Sequence, residues 1–131
     1  MLPIQTHAFN FKIQSQFNQI KIVSVEGTDQ QGNPSSFSRG ELGFVKVIVS
    51  ANKPIATLVT VNLFDSELTT IGIASFRTTL SSGESEMILS FLIPNDAALG
   101  SADIYANAFS DWPSNGGIPL TGEFSAQVRI T

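Results

Sequence analysis

The run Phe109-Ser110-Asp111-Trp112-Pro113-Ser114-Asn115-Gly116-Gly117-Ile118-Pro119 holds the chain's single tryptophan beside a carboxylate and a side-chain amide. An indole is a flat apolar platform for one face of a sugar ring, and Asp111 and Asn115 could bond its hydroxyls. An equally physical reading folds Trp112 and Pro113 back as a hydrophobic lid, with Asp111 capping the turn. The second candidate is the row Asp103, Tyr105, Asn107 and Phe109, in which two aromatic side chains stand on a nominally solvent-facing side. Such a patch calls for a cover: a ligand, a neighbouring domain, or another part of the same chain.

Other chemistry has little to work with. His7 is the only histidine and no cysteine occurs, so a thiolate or His-rich metal site and a conventional hydrolase triad are hard to build. Glu84 and Glu86 lie two apart and share a strand face, a spacing open to acid–base catalysis. Their place beside Ser81-Ser82-Gly83 makes edge protection the better expectation. Calcium needs several converging oxygens. The pairings Asp65 with Glu67 and Asp96 with Asp103 match no calcium loop and read as solvated turn residues. No phosphate-binding glycine loop or nucleophile elbow occurs. The expectation is therefore no enzyme, no catalytic residues, no metal and no cofactor.

These residues must be positioned by strands. Val45, Val47, Val49 and Ala51 alternate with more polar neighbours; so do Val59, Val61 and Leu63, and Met87, Leu89, Phe91 and Ile93. The same period of two runs through Ala102, Ile104, Ala106 and Ala108, and through Phe124, Ala126, Val128 and Ile130. It is the signature of half-buried β-structure, and no window shows the three-and-four spacing of a helix. Turn chemistry at Gln31-Gly32-Asn33-Pro34, Asn52-Lys53-Pro54, Ser81-Ser82-Gly83, Pro94-Asn95-Asp96 and Ser114-Asn115-Gly116-Gly117 cuts the chain into short segments. One helical turn is expected at Ala97-Ala98-Leu99-Gly100.

At 131 residues the chain has the length of one domain and can bury roughly two-thirds of its unfolded surface. Its 42% hydrophobic content excludes wholesale disorder. The net charge of −4 offers no footprint for phosphate backbones, so no nucleic acid partner is expected. No stretch is long and apolar enough to span a bilayer, so no membrane insertion is expected in this chain. Only 14% of residues are charged, and Ser, Thr, Asn and Gln supply the polar surface instead. That composition points to an extracellular or cell-surface location. The opening Met1-Leu2-Pro3-Ile4-Gln5-Thr6-His7 has neither the basic nor the apolar region of a signal peptide, which a mature domain would have lost. No Asn-x-Ser/Thr acceptor for N-glycosylation occurs.

The order Phe37-Ser38-Arg39-Gly40-Glu41, alternating valines to Asn52, a valine-rich strand, Ile93-Pro94, then Leu99-Gly100-Ser101-Ala102-Asp103-Ile104-Tyr105-Ala106 and a last alternating strand resembles an immunoglobulin-like sandwich. It is most similar to the fibronectin-type-III-like, adhesion-related modules of archaeal and bacterial surface proteins. The resemblance covers residues 18–131 and implies an all-β antiparallel β-sandwich of about seven strands. Their expected spans are 20–27, 43–51, 55–65, 69–76, 85–93, 102–110 and 122–131. The chain departs from antibody domains in lacking the Cys…Trp…Cys core and an inward tyrosine near Ala102. Asp-Trp-Pro followed by Gly-Gly-Ile-Pro occurs in loops of the surface modules, which implies a loop-shaping role.

Residues 1–17 form an N-terminal extension. His7, Phe9, Phe11 and Ile13 alternate with Asn10, Lys12 and Gln14, so residues 4–13 could add a strand to their own domain or to another molecule, or the segment could be a linker. Together these features imply a noncatalytic structural or adhesive module, with a protein, neighbouring domain or subunit as partner. Two alternatives stand beside it: a carbohydrate-binding module using Trp112, Tyr105 and Phe109, and a filament subunit joined by donation of residues 4–13.

Overall fold

A computed structural model of the chain describes residues 19–131. The strand expected over residues 4–13, and His7 with it, lie outside the described residues. Seven strands follow in order: β1 (Ile20–Thr28), β2 (Leu42–Ala51), β3 (Ile55–Phe64), β4 (Thr70–Leu80), β5 (Gly83–Leu92), β6 (Gly100–Phe109) and β7 (Phe124–Ile130). They form two antiparallel sheets, one of order β1-β2-β5 and one of order β4-β3-β6-β7. The all-β immunoglobulin-like sandwich is the fold of the described chain.

The period of two explains why the sheets close on each other. Val45, Val47 and Val49 of β2 face inward, as do Leu89 and Phe91 of β5 in the same sheet. Val59, Val61 and Leu63 of β3, Ile104 of β6 and Val128 of β7 face them from the second sheet. All are buried, and each such side chain contributes about 1.5–3 kcal/mol when removed from water. β1 lies over β7 and β4 over β5. The approach on the second side is close: a Cβ on Gly72 of β4 would sit 2.5 Å from the Phe91 ring of β5. Only glycine leaves the ring that space.

Three expectations need correction. β4 runs to Leu80 rather than ending at 76, because Arg77, Thr78, Thr79 and Leu80 continue the ladder opposite Leu58, Thr57, Ala56 and Ile55. Strands β5 and β6 likewise each start two residues early, and β7 is shorter at both ends. The helical turn at 97–100 is absent. The chain turns earlier instead, with the Ala97 N–H donating to the Pro94 carbonyl (3.2 Å), and Gly100 already pairs with Ile130 in β6.

Candidate binding face

β6 and β3 place the row singled out in the sequence. Asp103, Tyr105, Asn107 and Phe109 point away from the core, half-buried, on the outer side of the four-stranded sheet. Their neighbours across the strands explain the partial burial. The Tyr105 ring meets Phe64 of β3 edge-on, with centroids 5.7 Å apart at 75°. Asn107 Nδ2 donates to Glu123 Oε2 (2.9 Å), and Gln127 Nε2 donates to Asp103 Oδ1 (3.3 Å). The row is thus a mixed face in which two aromatic rings already support each other. Phe64 did not figure among the sequence candidates, although its outward parity beside Asp103 of β6 was there to find.

Beyond Phe109 the connection extends the hairpin before it opens. Ser110 N donates to Ile118 O (2.9 Å), Ile118 N returns a bond to Ser110 Oγ (3.0 Å), and Leu120 N donates to Ala108 O (2.9 Å). The tip folds into a short 3₁₀ turn, Pro113–Asn115, with proline at its start, where the missing N–H costs nothing. The Trp112 carbonyl accepts N–H groups from Asn115 (2.9 Å) and Gly117 (3.0 Å). A Cβ on Gly117 would run into the Asp111 backbone, so that glycine is what lets the loop close on itself.

The expected cap by Asp111 does not form: the turn starts at Trp112 with no side-chain cap, and Asp111 Oδ1 instead accepts the N–H of its neighbour Trp112 at 2.7 Å. The same oxygen lies 3.3 Å from Arg77 Nη1 of β4. Arg77 and Phe109 flank Leu58 on the two neighbouring strands. Leu58 points outward by parity and is still only 1% exposed. Trp112 stays 41% exposed at the tip, and the Asn115 side chain is exposed beside it. The structure therefore gathers Asp111, Trp112 and Asn115 in one loop. Tyr105 lies four residues back along β6 from Phe109, about 13 Å down the sheet.

The carboxylates resolve differently. Asp65, expected as a solvated turn residue, is 4% exposed. Its Oδ1 accepts the N–H groups of Glu67 and Thr69 (both 3.0 Å), and Oδ2 accepts that of Ala98 (3.0 Å). The Ala98 bond is the chief cause holding this carboxyl below its ordinary value, and burial opposes it. The turn needed the buried acceptor, which is why the residue left solvent. Among the described residues no three His, Cys, Asp or Glu side chains converge as metal ligands. Glu84 and Glu86 are exposed on β5, an edge of the three-stranded sheet.

No protein-family model matches the sequence, and no curated protein matches it. Solved structures do resemble the fold. The C-terminal domain of Wzt superposes with a TM-score of 0.65 at 13% identity, covering 86% of this chain and 74% of that one. A β-glucosidase from Listeria innocua, in complex with isofagomine, gives 0.51 at 14% identity, with 86% of this chain matching 16% of that one. A CARDB domain from Pyrococcus furiosus, in complex with di-metal ions, gives 0.50 at 16%, covering 88% and 91%. At these identities the likeness concerns the immunoglobulin-like sandwich alone.

Proposed function

We propose that the chain is a noncatalytic structural or adhesive module of a secreted or cell-surface microbial protein, presenting the 110–122 connection and the outer face of β6 to a protein partner. The observation that carries this reading is the shape of the connection. It is bonded to itself and tied to β4 by the Asp111–Arg77 pair, and it holds Trp112 in solvent at the end of a packed sandwich. A loop whose backbone is bonded to itself loses less entropy on binding than an open one, and an exposed aromatic at its tip suits recognition. The test is antibody labelling of intact and permeabilised source cells. Labelling of intact cells supports the proposal, whereas labelling that needs permeabilisation contradicts a surface role.

A second reading makes the same loop a carbohydrate site. It is favoured by the exposed Trp112 indole beside Asp111 and Asn115, with Tyr105 and Phe109 on the adjoining face. A glycan array probed with the wild-type chain and with Trp112→Ala separates the two. Binding abolished by the substitution supports a sugar site; no binding, or binding that survives, removes it.

A further inference from the structure

Among the described residues four strands lie at sheet edges, and three of them carry a device against pairing with another chain. β5 has Glu84 and Glu86. β1 has Lys21 and a register irregularity between Ile22 and Ser24. β7 has Arg129 and is partly covered by a parallel bridge from Phe37, whose N–H donates to Arg129 O at 2.8 Å. β4 is the exception. Its sequence, TIGIASFRTTL, contains no acid, no lysine and no proline, and its one charge, Arg77, is drawn to Asp111. After an irregularity at its start, residues 72–80 pair regularly with β3 and, among the described residues, with no strand on the other side.

We infer that β4 is a self-association edge, where two copies of this chain pair antiparallel about a two-fold axis at Ser75 to form one continuous eight-stranded sheet. An unpaired strand edge is met best by another strand, which fixes the kind of occupant. The residues of β4 indicate that the occupant is a second copy. A two-fold at Ser75 sets residue 73 opposite 77 and residue 74 opposite 76. Ile73, 73% exposed, then lies along the aliphatic stem of the other copy's Arg77. Phe76, which faces the open side of the sandwich and is 46% exposed, falls opposite Ala74, large against small. The two Arg77 residues stand four positions apart along the ladder and do not meet. Copies carrying a net charge of −4 repel each other in general; β4 and β7 are the edges with no acid to add to that repulsion, and β7 is partly covered by Phe37.

The chain has no cysteine, so one introduced thiol reports the register. In antiparallel pairing, opposed Cα atoms lie about 4.5–5.5 Å apart, within disulfide reach. Light scattering should give the wild type twice its 14.0 kDa monomer mass, and Ile73→Lys or Ser75→Lys should halve it while leaving the circular dichroism unchanged. Mild oxidation of Ser75→Cys should give a covalent dimer, whereas Ser90→Cys, exposed on β5, should form little covalent dimer. A monomeric wild type, or a dimer indifferent to Ile73→Lys, overturns the inference. So does a Ser75→Cys that fails to cross-link, or a dimer lost only when residues 1–17 are removed, which assigns the contact to that segment.

Discussion

The two ends of the sandwich are built on different terms. At one end three connections are cross-tied by side-chain bonds. Asp65 holds the Ala98 N–H, Ser66 Oγ donates to Leu99 O (2.8 Å), and Arg39 Nε donates to Ala97 O (2.6 Å). Ile93 exchanges backbone bonds with Glu41 and Gly40 beneath them. At the other end the 110–123 connection is bonded mainly to itself and to the strands it extends, with one exposed ion pair reaching sideways to Arg77. An end whose loops share buried partners is a clamp. An end whose loop is self-contained can carry an exposed tryptophan and change its surface without touching the core.

Substitutions should expose that asymmetry in a definite order. Ile93→Ala removes a fully buried side chain under the clamped end and should destabilise by about 2–5 kcal/mol, read from the denaturant midpoint. Asp65→Asn should lower the melting temperature at neutral pH by less than that. Because the folded-state pKa is depressed below 3.8, this carboxylate's contribution is complete above that value and fades as pH falls through the folded one. The acid-side loss of stability should therefore be shallower in Asp65→Asn than in the wild type. Gly117→Ala should force the loop to rearrange, seen as a changed Trp112 emission with a smaller drop in melting temperature than Ile93→Ala. Arg77→Ala should cost no more than about 1 kcal/mol, the range of an exposed ion pair. Trp112→Ala should change stability by no more than about 0.5 kcal/mol. A large loss there would mean that the tip is part of the structural clamp after all.

The core was legible because burial imposes a period of two wherever one face of a strand is dry. Val45, Val47, Leu89, Phe91, Ile104 and Val128 carry that period, and all are inside. The second half of β4 was not, since Arg77, Thr78 and Thr79 are polar residues in a strand whose partner, β3, does the patterning. Asp65 was half legible. A short carboxylate at the end of a strand, with backbone N–H groups two and four residues on, is an ordinary turn signal, and Asp29 makes the same two bonds, to Gln31 and Asn33. The third bond, to Ala98, joins segments 33 residues apart, and no local pattern encodes it. The Arg77–Asp111 pair and the burial of the outward-facing Leu58 share that origin. In the candidate loop, residue types pointed to Asp111 and Trp112, and tertiary contact decided what holds them.

Hydrogen exchange followed by NMR, amide by amide, compares the two ends most directly. The amides of Thr69 and Ala98, bonded to Asp65, should exchange only through opening of the whole domain. Those of Trp112, Asn115 and Gly116 should exchange faster by orders of magnitude through local opening of the tip. Equal protection at both ends, or an Ala98 amide as fast as the loop, would contradict the division between a clamped end and a presented one.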